Sequence, residues 1–339
     1  MRKLLVTGAA GFIGVNFVYY WLQHNAADRV VALDALTYAG NADNLKAASC
    51  DPRFRFVHGN IRDRSLVIEL LRTEEIDTIV HFAAESHVDR SISNPGIFLE
   101  TNVMGTFDLL EAARSVWLDV ESPVREHRFH HVSTDEVYGS LGLKDPQFTE
   151  EARYNPQSPY AASKASADHL VRAYGNTYGL QYTISNCSNN YGPYQFPEKL
   201  LPLSILNMAY GKPVPIYGDG LNIRDWLYVD DHCRAIDLVL KKGRAGETYN
   251  IGGNSEYTNL ELVEILASIL DELSMERRHV PHRRLITFVA DRPGHDRRYA
   301  IDAEKIRQEL GFCPMVTVAS GLRTTVQWYL DRAGREVKS

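Results

Sequence analysis

The chain has 339 residues, 44% of them hydrophobic, and a formal net charge of −6, which suits one large α/β unit or two coupled lobes with a sizeable core. The acidic balance argues against a nucleic-acid partner, which calls for a basic excess, and no run approaches the roughly 20 apolar residues of a membrane span. Cys50, Cys187, Cys233 and Cys313 are scattered without metal-ligand spacing, so free thiols in a reducing, cytoplasmic setting are expected, with no metal.

Arg2-Lys3 and the apolar residues after them imitate a secretion signal, but the run is short and broken by Gly8 and Gly11. It reads as a strand and turn instead. Without a secretion route, the sequon Asn186-Cys187-Ser188 is an accident of sequence. Lys3 to Thr7 is a buried strand that runs into Gly8-Ala9-Ala10-Gly11-Phe12-Ile13-Gly14 and then an apolar helix to about Leu22. Gly8 permits the tight turn, Gly11 admits a pyrophosphate to the backbone amides, and Gly14 lets the helix pack on the sheet. The helix N-terminus favours the anion. The spacing is G-x-x-G-x-x-G, a weak signal alone, here strengthened by the flanking strand and helix.

The strand Arg29–Leu33 ends at Asp34. An acid there accepts hydrogen bonds from an adenosine ribose and repels a 2′-phosphate, favouring NAD over NADP; the plainer alternative is a turn residue or helix cap. A polar loop follows, Leu36-Thr37-Tyr38-Ala39-Gly40-Asn41. After the strand Phe54–His58, Asn60 and Ile61 are placed to flank an adenine, and Asp63 to cap a helix reaching about Arg72. The strand Thr78–Phe82 opens into Ala83-Ala84-Glu85-Ser86-His87-Val88-Asp89-Arg90. The alanines let the chain pass close to a cofactor, and Ser86, His87 and Arg90 either face a substrate or are ordinary loop polarity. Asn94-Pro95 breaks the chain before a long helix, Ile97–Val116, with Thr101-Asn102 early in it.

The next strand, Phe129 to Val132, carries His130 and His131 on opposite faces, which speaks against a metal site with His127. It ends in Ser133-Thr134-Asp135-Glu136-Val137-Tyr138-Gly139, a hydroxyl pair followed by two carboxylates. Strand ends are where ligands bind in an open parallel sheet, and adjacent carboxylates in unlike surroundings divide into acid and base. Taken alone the stretch reads more readily as a polar turn with solvated acids. Ser158-Pro159-Tyr160-Ala161-Ala162-Ser163-Lys164 then opens a helix to about Tyr178, with Ser158 as N-cap and Pro159 in the first turn. Tyr160 and Lys164 share a helical face. An ammonium beside a phenol and a cationic nicotinamide lowers the phenol toward the working pH of a general base. Repeated strand–helix alternation implies a doubly wound parallel sheet.

Beyond the strand Gln181–Ser185 the alternation becomes irregular. Helices are expected from Pro197 to about Tyr210, after Asp231 to Lys242, and from an Asn259 cap to about Leu273; Pro213–Gly218 is extended and Thr248–Ile251 a strand. The basic run Arg277–Arg284 reads as a solvated face, and two more helices close the chain.

With these pieces in place, the chain resembles the extended short-chain dehydrogenase/reductase family, and within it the nucleotide-sugar 4,6-dehydratases, over roughly Lys3 to Leu330. The residues that carry the resemblance are Leu36 to Asn41, Ala84 to Ser91, Ser133 to Gly139, Ser188-Asn189-Asn190-Tyr191-Gly192-Pro193 and Asp291 to Tyr299. It implies a Rossmann-like NAD-binding domain over 1–190 that carries the catalytic residues. A smaller mixed α/β substrate lobe over 191–332 partly crosses back to it, and 333–339 is a tail. It implies that Thr134 binds the sugar 4-hydroxyl, Tyr160 takes its proton, Lys164 tunes Tyr160, Glu136 removes the C5 proton and protonated Asp135 releases the 6-hydroxyl as water. NAD contacts are implied at Gly8, Gly11, Phe12, Ile13, Gly14, Asp34, Leu36, Thr37, Asn60, Ile61, Phe82, Ala83, Ala84, Ser86, Thr101, Ser133, Tyr160, Lys164 and Asn186. Substrate contacts are implied at Ser86, His87, Thr134, Asn189, Lys199, Leu200, Pro215, Ile216, Tyr217, Arg224, Asn259, Asp291, Arg292 and His295, with Arg224 as the pyrophosphate clamp. The implied substrate is dTDP-glucose and the implied assembly a homodimer through the helices Ile97–Val116 and Tyr160–Tyr178. The rivals are another nucleotide-sugar dehydratase and a 4-epimerase or decarboxylase of the same family; the last two need no acid and base at 135 and 136. Two departures stand out: the connection from Gly139 to Glu150 is shorter than in some relatives, and Asn60 stands where an acid is common.

Overall fold

Unbroken apolar runs form strands that are buried on both faces, the signature of a parallel sheet sandwiched by helices. The structure is a computed structural model and describes residues 1–119, 126–273 and 279–336. The strands of the N-terminal half are β1 (Lys3–Thr7), β2 (Arg29–Asp34), β3 (Phe54–His58), β4 (Thr78–His81), β5 (Arg128–Thr134) and β6 (Tyr182–Cys187). Those after them are β7 (Asn189–Tyr191), β8 (Val214–Tyr217), β9 (Ile223–Tyr228), β10 (Thr248–Ile251), β11 (Glu256–Thr258), β12 (Ile286–Val289) and β13 (Arg298–Tyr299). The main sheet has the order β10-β6-β5-β4-β1-β2-β3, every pair parallel. Thus β10, from the later half of the chain, returns to extend the main sheet.

The helices are α1 (Phe12–His24), α2 (Arg64–Thr73), α3 (Val88–Ser93), α4 (Pro95–Phe98), α5 (Gly105–Trp117), α6 (Pro159–Tyr178), α7 (Leu200–Ala209), α8 (Val229–Lys242), α9 (Asn259–Leu273), α10 (Glu304–Leu310) and α11 (Val318–Glu336). Because side chains alternate along a strand, Leu4 and Val6 join a core with α1, α8 and α10 on one face. Leu5 joins a core with α2, α5 and α6 on the other. Leu4 and Leu5 are both fully buried, each contributing about 1.5–3 kcal/mol relative to exposure. A third core, including Leu201, Val214, Leu262 and Leu322, lies in the second lobe under β11-β9-β13 and β8-β12. The β9 set is mixed, with β11 antiparallel and β13 and β7 parallel to β9.

Asp63 and Ser158 cap α2 and α6 as expected, accepting from Leu66 N (3.0 Å) and Ala161 N (3.1 Å). Other details differ from the sequence reading. The residues before Asn94 form α3 rather than a loop, and the expected helix from Ile97 is α4, a wider π turn at Leu99–Met104, and α5. In that π turn the Asn102 amide donates to Glu85 O and Ser163 Oγ and accepts from Glu85 N, tying it to the β4 loop and α6. Thr258, not Asn259, caps α9: its hydroxyl accepts from Glu261 N while the Glu261 carboxylate accepts from Thr258 N, a reciprocal capping box. Of the basic run, Arg277 and Arg278 lie outside the described residues; Arg283 and Arg284 are exposed, but His282 is buried against Asp271. The helix α11 continues to Glu336, past the expected start of the tail at 333, and 337–339 lie outside the described residues. Among the described residues no helix is long and apolar enough to cross a membrane.

Candidate active site

A cleft opens over the C-terminal ends of β1, β2, β4, β5 and β6, where an open parallel sheet binds its ligands. Its lining runs from Gly8 and Asp34 to Lys199.

Its floor is the glycine turn between β1 and α1. Gly8 has φ +67°, and a Cβ there would lie 2.6 Å from Ala83 N. A Cβ on Gly14 would lie 2.2 Å from Gly8 O, so neither position tolerates a side chain. Gly11 is different: an added Cβ would approach only Gly8 O, at 3.3 Å, and its open side faces the cleft with Phe12 and Ile13. Gly11 is also the N-cap of α1, with no side chain capping it. The amides of that first turn are therefore free for an anion, the physical requirement for a bound pyrophosphate. Asp34 lies at the end of β2, its oxygens accepting from Ala10 N (2.9 Å) and Leu36 N (2.7 Å). Burial raises its carboxyl despite those bonds. To reach Asp34, Leu36 adopts φ +50°, a strained conformation for a branched residue. Thr37, Asn60, Ile61, Phe82, Ala83, Ala84, Ser86 and Thr101 line the same half of the cleft. A cradle closed to side chains, free helix-terminal amides and an acid at the end of the second strand fit a dinucleotide.

The other half contains Ser133, Thr134, Asp135, Glu136, Tyr160 and Lys164. Thr134 ends β5 and caps a short 3-10 turn, Asp135–Tyr138, accepting from Glu136 N at 3.3 Å. Its hydroxyl donates to Asp135 Oδ1 at 3.3 Å and stands close enough to the Tyr160 phenol to favour its ionised form. The two carboxyls occupy unlike surroundings. Asp135 is 3% exposed; burial, then the charges of Glu136 and Asp225, push it well above the ordinary carboxylate range. Glu136 is only partly enclosed at the surface of the cleft. Burial raises it too, but Arg224, Arg292 and Lys199 act against the rise. Asp135 is thus the better proton holder and Glu136 the more readily ionised neighbour.

The tyrosine departs from expectation. Burial first, then the charge of Glu136, raises the Tyr160 phenol, with the Thr134 hydrogen bond opposing. Lys164 makes no hydrogen bond to the phenol. Its Nζ donates to Val132 O at 2.9 Å and lies 3.4 Å from His131 Nε2. Burial lowers Lys164, with Asp168 opposing.

From the second lobe Lys199 lines the cleft, and Arg224 and Arg292 stand close enough to act on Glu136. Lys199 Nζ donates to Ser86 O at 2.8 Å, linking the lobes. Arg224 is 5% exposed; its guanidinium donates to Ile223 O and Asp296 O and stacks 4.3 Å over the Tyr299 ring. Arg292 bonds Asp89 Oδ1 at 3.1 Å, and Tyr217 bonds Asp89 Oδ2 at 3.3 Å. His295 Nδ1 lies 2.6 Å from Asp291 Oδ1. His87 precedes α3, with its Nε2 3.9 Å from Glu198, and Asn189 borders the cleft.

Four expected contacts sit differently. Asn186 is fully buried, with its amide turned to the Tyr154 hydroxyl at 3.3 Å, and Cys187 rather than Asn186 borders the cleft. The Ile216 side chain belongs to the core of the second lobe, so β8 offers a ligand Pro215, Tyr217 and backbone. Leu200 starts α7 and packs on that same core. Asn259 starts α9, its N–H given to Asn222 O. Sequence reasoning passed over Tyr38, Glu85, Gln195, Phe196 and Glu198, all of which line the cleft. Arg90 lies 3.7 Å over the Tyr38 ring and 3.0 Å from Glu198, so these residues form a wall across the two lobes. The aromatic residues flanking the polar loops were the available signal.

Comparison with known proteins agrees with this geometry. The family model for GDP-mannose 4,6 dehydratase matches residues 5–325. The dTDP-glucose 4,6-dehydratase of Neisseria meningitidis is 56% identical over 334 residues, covering 98% of this chain and 94% of the relative. The crystal structure of the dTDP-glucose 4,6-dehydratase from Streptomyces venezuelae with NAD and TYD bound is 52% identical, covers 98% of each chain and superposes with a TM-score of 0.88. That of the dTDP-glucose 4,6-dehydratase from Bacillus anthracis, in complex with NAD, is 47% identical, covers 98% of each chain and has a TM-score of 0.87. With a glycine cradle for a dinucleotide and paired carboxyls beside a buried tyrosine, the chain belongs to the GDP-mannose 4,6 dehydratase family, alongside its dTDP-glucose 4,6-dehydratases.

Proposed function

We propose that the chain converts dTDP-glucose to dTDP-4-keto-6-deoxyglucose and water, retaining NAD through the turnover, for deoxysugar synthesis. The observation that carries this reading is the placement of two adjacent carboxyls in unlike environments beside one buried phenol. Oxidation alone needs the phenol; elimination of water needs a base and an acid as well.

Thr134 holds the sugar 4-hydroxyl and Tyr160, as phenolate, takes its proton. NAD⁺ held at the Gly8–Gly14 turn and Asp34 would supply the acceptor for the C4 hydride and its donor to C6, and its cationic ring would add to the field of Lys164 in favouring phenolate. The 4-ketone acidifies the C5 proton, which Glu136 removes. Asp135, the carboxyl that holds its proton, gives it to the departing 6-hydroxyl. Glu136 then returns its proton to C5. Each turnover leaves Tyr160 one proton richer and Asp135 one poorer. The Thr134 hydroxyl, bonded to Asp135 and close to the Tyr160 phenol, lies on the short path between them.

The far end of the cleft suits a nucleotide diphosphate, with Arg224, Lys199, Arg292 and His295 as its polar wall. A homodimer is the assembly that fits the surface: Ile92, Ile97, Leu99, Met104 and Tyr178 are large apolar side chains left exposed on α3, α4, the π turn and α6. A helix bundle pairing these elements would cover them. A cytoplasmic setting accords with the free thiols of Cys50, Cys187, Cys233 and Cys313.

The test is incubation with dTDP-glucose and with UDP-glucose in turn, following the alkali-induced absorbance of a 4-keto-6-deoxy sugar. Product from dTDP-glucose at the higher kcat/KM is expected. Faster turnover of UDP-glucose would change the nucleotide, and no product from either would overturn the reading.

A further inference from the structure

Tyr160, Lys164, Asp168 and Arg172 recur every fourth residue along α6 and so form one stripe. The reaction described above uses the first two. The third is a fully buried carboxylate with no part in that chemistry, and a buried charge persists only when something compensates it.

Its surroundings are specific. Asp168 Oδ2 accepts from Ser133 Oγ (2.9 Å) and from the Tyr154 hydroxyl (2.8 Å). Tyr154 in turn accepts from Arg172 at 2.7 Å. Asp168 Oδ1 makes no hydrogen bond; it lies 3.2 Å from His131 Nε2, and that nitrogen lies 3.4 Å from Lys164 Nζ. One imidazole nitrogen therefore stands between the carboxylate and the ammonium.

The groups facing Lys164 come from four elements. His131 on β5 and His81 on β4, with rings 5.2 Å apart, are both kept neutral by burial. Cys187 on β6 is a thiol pushed up to about 12, chiefly by burial. On α6 itself stand Asp168 and, beyond it, Arg172. Of these groups, Asp168 is the one that carries negative charge. Burial works against that charge, but His131, Lys164 and Arg172 hold its carboxyl below the usual range. Lys164, 4% exposed and bonded otherwise to a neutral carbonyl, would shed its proton in such a place without a counter-ion.

We propose that Asp168 is a positioning residue for the reaction: it is the counter-ion that keeps the buried Lys164 ammonium charged, acting across the His131 imidazole, with Ser133 and Tyr154 fixing its orientation. The proposal rests on the reading of Lys164 as the partner of the catalytic phenol. It gives a task to the buried histidine, which holds the carboxylate and the ammonium apart so that Lys164 stays free to face the cleft.

The test compares variants of the NAD-loaded enzyme. Asp168→Asn keeps the shape and an acceptor for Ser133 and Tyr154 but removes the charge. The alkaline limb of its kcat–pH profile should move down by about one pH unit or more, while Tyr154→Phe, which removes a donor and leaves the charge, should not lower that limb. An alkaline limb at the wild-type position in Asp168→Asn would overturn the proposal and make Asp168 a structural tie. A second measurement needs neither substrate nor a stable Asp168→Asn protein. Lys164→Met strands the buried carboxylate, so the double variant Lys164→Met/Asp168→Asn should melt at a higher temperature than Lys164→Met alone. A double variant that melts no higher would overturn the pairing even if the proposed dehydration were confirmed. Conversely, a higher melting point would stand even if no nucleotide sugar were turned over.

Discussion

The two ends of the cleft are built on different principles. At the sheet end, Thr134, Asp135 and Glu136 follow a central strand, and Tyr160 and Lys164 lie on one helix packed against it. Asp135, Tyr160 and Lys164 are nearly dry, and burial is the largest influence on the protonation of each. At the lobe end, Lys199, Arg224 and the Arg292–His295 stretch come from three separate segments. Each already has a partner within the protein: Ser86 O, Asp296 O, Asp89 and Asp291. The sheet end is set before a ligand arrives, whereas the lobe end has bonds to exchange when one does. The first arrangement suits chemistry, where charges must meet fixed groups. The second suits binding across two lobes.

The sharpest way to break this comparison is to remove the base. Glu136→Gln should lower kcat by about 10²–10⁴-fold with NAD still bound, read by product formation and by cofactor content. A 4-epimerase-like activity surviving at full rate in this variant would show that the sheet end is not a dehydration site. At the lobe end, Arg224→Met should act mainly on KM, raising it about tenfold to a hundredfold for loss of charged hydrogen bonds worth about 1.5–3 kcal/mol, with a much smaller change in kcat. A loss confined to kcat would erase the distinction between the two ends.

A third prediction concerns stability. In the fold, burial and Glu136 raise the Asp135 carboxyl. Below the ordinary carboxylate range both folded and unfolded states hold the proton, and nothing is lost. As pH rises the unfolded chain ionises first, so the fold loses relative stability until Asp135 itself ionises. Asp135→Asn should therefore melt above the wild type at pH 8, by about 2 °C or more, and the gain should shrink as the pH falls toward 4. The smallest effect lies far from the chemistry: Thr258→Ala opens the capping box of α9 and should cost about 1 kcal/mol in denaturant unfolding, with kcat unchanged.

The same contrast explains what could be read from the sequence. The glycine turn, Asp34, the Ser158 cap and the pairing of Tyr160 with Lys164 on one helix depend on short-range spacing, and the structure has each element where the pattern placed it. Asn186 was misplaced because strand parity alone does not say which face of β6 looks into the cleft. Ile216 was misplaced because an extended, proline-flanked segment gave no sign that β12 pairs with it and buries one face. The field around Tyr160 was legible only in part, for a different reason. Spacing put Lys164 near the phenol, but the net effect comes from desolvation and from Glu136, 24 residues away in sequence. Asp168 was visible four residues past Lys164; what could not be read was that β5 supplies His131 and Ser133 to hold it.

The central claim is that one cleft lends a hydride from C4 and returns it to C6 while Glu136 exchanges the C5 proton. Turnover of dTDP-glucose deuterated at C4, in ordinary water, tests it most directly by NMR or mass analysis of the product. The account predicts deuterium at C6, protium at C5 and no net reduction of the bound cofactor. Deuterium lost to solvent, or retained at C4, would contradict it.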